Sequence, residues 1–257
     1  MAAEKTVFWG SVDFPPVYIQ EGKLKNQGIM DHIVQELTNR IPSYNHEHLP
    51  VSLSRLMEEF KSGRQVCFAG LFKTAEREKF IAFSDPISTL SPNVLITSSL
   101  QSEKLSPYLN ANNHIDLEHL LESNTLKLEV MAERSYGQAI DKLIKSNNGA
   151  YKEKITVRKG LPKSGLLIKQ IAYGRIQATL GHVTENYYQA VQQGLEKQVL
   201  FYPIQGNHEG PKMYVGCSKG LWSRDFMPNL NAAISSIGDD GSFQRSRNRW
   251  LPENLKE

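Results

Sequence analysis

The feature that most constrains this chain is a β-α-β-α-β alternation that runs once and then begins again. Thr6 to Trp9 reads as a strand. A helix follows from about Ile29 to Arg40, with Ile29, Ile33 and Leu37 on one stripe. Tyr44 to Leu49 is a second candidate strand. Leu53, Leu56, Met57 and Phe60 then recur at helical spacing, with Ser52 as the candidate N-cap and Ser62-Gly63 as the C-terminal signal. Val66 to Leu71 reads as a short buried strand. This order predicts a mostly parallel sheet covered by helices.

The second run has a strand at Leu128 to Met131, a helix at Tyr136 to Ser146 and a strand at Ile155 to Val157. A helix from Gly165 to Tyr173, a strand from Ile176 to Leu180 and a helix from Thr184 to Gln193 follow. A polar stretch, Ser98 to Asp116, separates the two runs. After an irregular stretch, Gln205 to Lys212, come a strand at Met213 to Cys217 and two helices ending near Trp250. The prediction is two α/β units joined by two crossings, near Leu90 to Thr97 and near Pro203 to Tyr214. The first unit takes residues 1–95 and 210–257, and the second takes residues 96–209.

A chain of 257 residues is long enough for two such cores. Its formal charge of +3 is small, and its Lys and Arg are spread along the chain. That gives no footprint for nucleic acid or a membrane surface. The densest basic stretch, Arg245, Arg247 and Arg249, reads as a solvated helix face. No apolar run approaches the roughly 18 residues needed to span a bilayer. Met1-Ala2-Ala3-Glu4 leads at once into a strand, as it would where a secretion leader has been replaced by a start codon. Cys67 and Cys217 stand in no metal or redox spacing. They fit either one bridge in an oxidising compartment or two reduced core thiols.

Two patterns are set aside. Gly216-Cys217-Ser218-Lys219-Gly220 matches the G-x-S-x-G nucleophile elbow, which needs a following helix and a later histidine. Leu221 to Arg224 opens no clear helix by pattern, and the last histidine, His208, precedes Ser218. His46-Glu47-His48 shows no third metal ligand and reads as exposed polar residues. There is no H-E-x-x-H, P-loop or dinucleotide fingerprint, and no cofactor is expected.

Three segments carry chemistry. Asp13-Phe14-Pro15-Pro16 follows the first strand, and its prolines hold the aromatic on a stiff loop. Ala69-Gly70-Leu71-Phe72-Lys73-Thr74-Ala75-Glu76-Arg77 follows the Val66 strand. There Gly70 permits close backbone approach, and Thr74 caps a turn from which Arg77 projects. A guanidinium grips a carboxylate through two parallel charge-assisted bonds. The competing use of Arg77 is an ion pair with Glu76, Glu78 or Asp85. Arg134-Ser135-Tyr136-Gly137, with Glu133 before it, joins a strand to a helix. Ser135 is a natural N-cap, and the free N–H groups there suit an anion.

In order and spacing, these segments resemble the family 3 extracellular solute-binding proteins of bacterial ABC importers. Phe14-Pro15-Pro16, Gly22-Lys23-Leu24, Leu56 to Gly63 and Thr74-x-x-Arg77 take part in the resemblance. So do Phe83-Ser84-Asp85-Pro86, Gly174-Arg175-Ile176, Asp240-Gly241 and Trp250-Leu251-Pro252. The resemblance spans about Val7 to Pro252. It implies a two-lobed type II periplasmic-binding fold with two crossover strands as a hinge. It implies a periplasmic monomer that closes on a small carboxylate-bearing molecule and hands it to an ABC-transporter permease. A sensor module, or less readily a dehydratase-like enzyme using His182 or Glu185, would use the same scaffold.

The resemblance further implies that Arg77 binds the carboxylate, helped by N–H groups near Phe72 and at Ser135 and Tyr136. Phe14 and Leu53 would wall the pocket, with Phe72 and Tyr136 as further apolar surface. It places Cys67 and Cys217 on neighbouring strands, which would allow a disulfide. Two positions depart from the family pattern: Phe72 stands where a hydroxyl residue is usual, and His182 stands where an acidic residue usually meets the ligand's ammonium. The expectation is weak binding of simple α-amino acids and better binding of an organic, aromatic or modified acid, with Asp13 or Glu185 as a substitute carboxylate.

Overall fold

The computed structural model describes residues 5–123, 125–132, 134–146, 151, 153–159, 164–207 and 210–256. The expectations placed on residues 1–4, on Glu133 and on His208 lie outside them. The chain divides into two units, residues 1–90 with 211–249 and residues 91–210 with 250–256.

The first unit holds β1 (Thr6–Ser11), α1 (Ile29–Arg40), β2 (Asn45–Pro50), α2 (Leu53–Ser62), β3 (Val66–Phe72) and β4 (Ile81–Thr89). The second holds β5 (Asn93–Ser98), α3 (Ser102–Leu105), α4 (Leu117–Glu122), β6 (Leu128–Met131), α5 (Gln138–Ser146) and β7 (Ile155–Arg158). It continues with α6 (Ser164–Ala172), β8 (Ala178–His182), α7 (Val183–Gln192) and β9 (Val199–Pro203). The chain then returns to the first unit with β10 (Lys212–Ser218), α8 (Leu221–Asp239) and α9 (Ser242–Asn248).

Local sequence explains the helices of the first unit. In α1, Ile29, Met30, Ile33 and Leu37 are buried. The Asp31 carboxylate accepts from the Gly28 and Ile19 amides, at 2.9 and 3.0 Å, which satisfies donors at the helix start. Ser52 caps α2 by accepting from the Arg55 amide at 3.3 Å. Gly63 ends α2 at φ +78°, a conformation that costs glycine little.

The first sheet has the order β2-β1-β3-β10-β4, in which β1 is parallel to β2 and β3, and β10 runs antiparallel to β3 and β4. The second repeats the plan as β7-β6-β8-β5-β9, with β6 parallel to β7 and β8, and β5 antiparallel to β8 and β9. In each sheet the antiparallel strand is the one fed from the other unit. The two passing segments are hydrogen-bonded where they leave the first unit, Leu90 N–H to Pro211 O at 3.0 Å. The sequence-based boundary after residue 95 moves back to Leu90–Ser91, because all of β5 pairs with β8 and β9. A third passage precedes Trp250, whose ring packs edge-on against Tyr188 at 5.2 Å.

Each unit has its own core. The second unit's sheet is apolar on both faces: Leu95, Leu128, Val130 and Leu180 meet α4 and α5, while Val94, Ile96 and Phe201 meet α6 and α7. Adjacent residues of β5 thus serve opposite cores, as a strand's two-residue period requires. Among the described residues no helix is long and apolar enough to cross a membrane.

Candidate functional site

In open sheets of this kind, ligands bind beyond the carboxyl ends of parallel strands. In the first unit that edge carries all six expected residues. Asp13 and Phe14 follow β1, Leu53 follows β2, and Gly70, Phe72 and Arg77 lie at or just past the end of β3. Asp13, Phe14 and Leu53 line one hollow of about 810 Å³ together with Val12, Gln20, Pro50, Val51 and Ser52. Phe14 is 55% exposed and Leu53 52%, although Leu53 sits on the apolar stripe of α2. Its partners Leu56 and Phe60 are buried, so the stripe runs out of core at its first turn and presents Leu53 at the strand ends. Asp13 accepts from the Gln20 amide at 3.2 Å, which ties its loop to the following chain.

Arg77 lies on a single 3-10 turn, Arg77–Lys79. Thr74 Oγ1 accepts from the Arg77 amide at 3.3 Å, as the capping expectation required. Two of the three carboxylates named as competing partners of Arg77 are bound elsewhere, and Asp85 forms no ion pair with it among the described residues. Glu76 meets Lys79 at 2.6 Å and Glu78 meets Lys73 at 3.1 Å. Among the described residues Arg77 has no ion pair; its Nη1 donates to the Phe72 carbonyl at 2.7 Å. A guanidinium has five donors, so this leaves the bidentate edge for another acceptor. Gly70 has φ +93°, the left-handed region that disfavours any side chain.

The second unit presents the corresponding strand ends differently from expectation. The helix begins at Gln138 rather than Tyr136. The Tyr136 amide is not free for an anion: it donates to Asp141 at 2.8 Å, and the Ser135 hydroxyl donates to the same carboxylate at 2.5 Å. Asp141 lies in the first turn of α5, where a carboxylate is favourable. The Tyr136 ring is only 2% exposed and its hydroxyl accepts from the Met131 amide at 2.8 Å, so it is core and cannot wall a pocket. Burial also pushes the Tyr136 hydroxyl above its ordinary range. Ser135 remains exposed beside Arg134.

His182 is the last residue of β8 and the N-cap of α7. Its Nδ1 lies 3.1 Å from the Ser91 carbonyl. Arg134 and Glu185, neighbours at this edge, pair with each other at 3.3 Å. Burial is the main cause, and Arg134 the next, of an imidazole held below its ordinary protonation range. Sequence reasoning missed the Arg134–Glu185 pair and Asp141, whose roles depend on contacts across loops.

The patterns set aside stay aside, one for a new reason. A helix does open at Leu221, so Gly216-x-Ser218-x-Gly220 does sit between a strand and a helix. Ser218, however, is fully buried and its hydroxyl donates to the Arg64 carbonyl. His46 accepts from the Trp9 indole at 3.0 Å and its other nitrogen meets the Ile41 carbonyl at 2.8 Å, so it is a structural link rather than a free polar residue. Among the described residues no cluster of His, Cys, Asp or Glu could hold a metal.

The family pattern described as bacterial extracellular solute-binding proteins, family 3, matches residues 8–253. Solved structures share the fold at low identity. The probable amino-acid ABC transporter extracellular-binding protein ytmK of Bacillus subtilis is 19% identical, with 98% of this chain and 100% of that chain covered and a TM-score of 0.69. Substrate-binding domain 2 of Lactococcus lactis GlnP, in an open conformation, is 15% identical, with 98% and 97% covered and a TM-score of 0.69. The periplasmic VFT2 domain of Bordetella pertussis BvgS is 17% identical, with 97% and 95% covered and a TM-score of 0.58. No curated protein matches the chain.

Proposed function

The chain belongs to family 3 of the bacterial extracellular solute-binding proteins, and from that premise we propose that it captures a small carboxylate-bearing solute for an ABC importer. The observation that carries this reading is Arg77. It stands at the carboxyl end of β3 while Lys79 and Lys73 hold the two acidic residues beside it. An exposed carboxylate-binding fork on the same strand-end edge as Phe14, Leu53 and Phe72 suits a ligand with an acid group and an apolar body. Gly70 lets backbone groups come close to it. In the second unit Ser135 and His182 are the remaining candidates for contact, and Tyr136 drops out.

The protein works as a monomer in the periplasm, binds without catalysis and needs no cofactor. A solute receptor reports or delivers its ligand by favouring one conformation over another. The BvgS likeness favours a second reading, a sensor module that presents the same ligand to a signalling partner. Genome neighbourhood separates the two, since an importer component is encoded beside its permease.

The test is a thermal-shift screen against amino acids, organic acids and peptides. A ligand at 100 times its Kd adds about 2.7 kcal/mol to the folded state. The expected hits lose their effect when the carboxylate is replaced by a carboxamide, and equal stabilisation by the carboxamide counterparts would overturn the proposal.

A further inference from the structure

β1 and β3 pair only where Phe8 faces Val66 and Trp9 faces Cys67. Beyond that, β1 keeps to β2 as far as Ser11 and Pro50, while β3 keeps to β10 as far as Phe72 and Met213. The two strands therefore part toward their carboxyl ends, the edge that carries Asp13, Phe14, Gly70 and Arg77. Parting leaves backbone groups to satisfy. Gln65 O accepts from the Phe8 amide at 2.8 Å, and strand alternation turns the same side of Cys67 and then Ala69 toward β1.

On that side Ala69 has no strand partner. Both its groups meet one side-chain hydroxyl instead: Tyr18 Oη donates to Ala69 O at 2.9 Å and accepts from Ala69 N at 3.2 Å. Tyr18 is 1% exposed, and its ring lies 5.0 Å from that of Phe68. Burial pushes the hydroxyl well above its ordinary range, against the smaller opposing effect of the Ala69 bond, so it stays a donor. Two residues on, Gln20 Nε2 donates to the Ser11 carbonyl at the end of β1, at 2.8 Å. Residues 18–20 thus bond to both of the parted strands.

Tyr18 also closes the loop that bears Phe14. Its amide donates to Phe14 O, and the Phe14 amide donates to Tyr18 O, each at 3.1 Å. Pro16 O and Val17 O accept from the Ile29 and Met30 amides at the start of α1, each at 2.8 Å. On the β3 side, Ala69 leads through Gly70 to Phe72, whose carbonyl holds Arg77 Nη1 at 2.7 Å. One hydroxyl therefore links the Phe14 loop directly to the strand end on which Arg77 rests.

We propose that the Tyr18 hydroxyl is a positioning group for the solute site, fixing the Arg77 strand end against the Phe14 loop. Being buried, it touches no solute itself. The proposal rests on the reading that Arg77 takes the solute's carboxylate, and it adds what holds that arginine in place. A guanidinium gives two parallel bonds only in a narrow geometry, and a binding group held by packed neighbours loses less freedom when it binds.

Tyr18→Phe keeps the ring against Phe68 and removes both bonds to Ala69. Ile237→Val removes one methylene from the buried face of α8 and is the control for lost stability alone. In unliganded Tyr18→Phe, hydrogen exchange should quicken about tenfold or more across residues 13–20 and 66–72, beyond any rise shared by the rest of the first unit. In Ile237→Val those segments should follow the rest. Titration with phenylacetate and phenylacetamide, and with benzoate and benzamide, then reads the arginine. The preference for acid over amide should fall about tenfold in Tyr18→Phe and stay at the parent value in Ile237→Val.

Parent-like exchange in either segment, an undiminished acid preference, or an equal fall in Ile237→Val overturns the proposal. So does a Tyr18→Phe chain that does not fold, since the hydroxyl would then hold the fold and not the site. If neither pair binds the parent, exchange decides alone. A preference that falls in Arg77→Ala but not in Tyr18→Phe removes the positioning role and leaves the carboxylate reading standing. Equal binding of acid and amide by the parent removes both.

Discussion

Cys67 and Cys217 stand directly opposite each other on β3 and β10 and are joined by a disulfide across 150 residues of sequence. Both are completely buried. The bridge agrees with the sequence-based expectation of neighbouring strands and settles the choice between bridged and reduced thiols. Replacing both by alanine should lower stability by about 3–5 kcal/mol, because a closed loop of that length restricts the unfolded chain. Urea unfolding of the double variant measures it, and a loss below about 1 kcal/mol would contradict the expectation.

Arg77→Ala should weaken a carboxylate ligand by about 2–5 kcal/mol, the range for removing one partner of a desolvated charge pair. Its melting temperature should barely move, since the residue holds only an exposed bond to Phe72 O. Titration calorimetry and a melting curve on the same preparation check both halves. A variant that melts early would mean that Arg77 is structural.

His182 gives stability a pH dependence of known sign. Its folded imidazole is held below the ordinary range by burial and Arg134, whereas the unfolded side chain titrates near about 6.5. The unfolded chain therefore binds this proton more readily. The contribution is fully present above about 6.5 and is lost as pH falls from there through the folded value. Unfolding free energies at pH about 7.5 and about 5.5 should differ less in His182→Gln than in the parent. Equal differences in the two proteins would remove the assignment.

Two glycines should respond to alanine with opposite signs. A Cβ on Gly216 would lie 2.7 Å from Leu71 Cδ1 and 2.8 Å from Ile81 Cγ2, in the middle of the first sheet. Gly216→Ala should cost about 1–3 kcal/mol by overpacking. A Cβ on Gly238, inside α8, meets nothing within 4 Å. Gly238→Ala should add about 0.5–1 kcal/mol through helix propensity and a less flexible unfolded chain. Melting curves of the two variants on either side of the parent are the expected result.

The elements with strong local periodicity were legible in the sequence. The bounds of α1 and β6 coincide with those read from apolar spacing, and Ser52 and Gly63 cap α2 as their residue types suggest. The strand β4 was not legible, because Ser84, Asp85 and Pro86 interrupt its pattern. It tolerates a proline because it forms the edge of its sheet. The start of α8 was hidden by Gly220 and by Leu221, which is exposed.

In the site, residue types at strand ends were readable but their partners were not. Lys73 and Lys79 reach Glu78 and Glu76 and so leave Arg77 without those two partners. Tyr136 looked like a pocket residue until its ring direction was known. The bonding of Tyr18 to Ala69 depends on a contact between distant segments, which no local pattern encodes.

The ring closed by Cys67 and Cys217 contains the whole of residues 91–210, so all of the second unit except residues 250–256 is carried inside a covalent loop of the first. Force applied at the two ends of the oxidised chain bypasses that loop through the sulfur bridge. Roughly 500 Å of extended backbone, at about 3.3–3.6 Å per residue, stays hidden from the pull. Single-molecule stretching should therefore yield only the residues outside the ring until reductant is added, after which the hidden length appears as a new extension. Residues 91–210 of the second unit are thereby shielded from the pull, while its residues 250–256 stand in the loaded path.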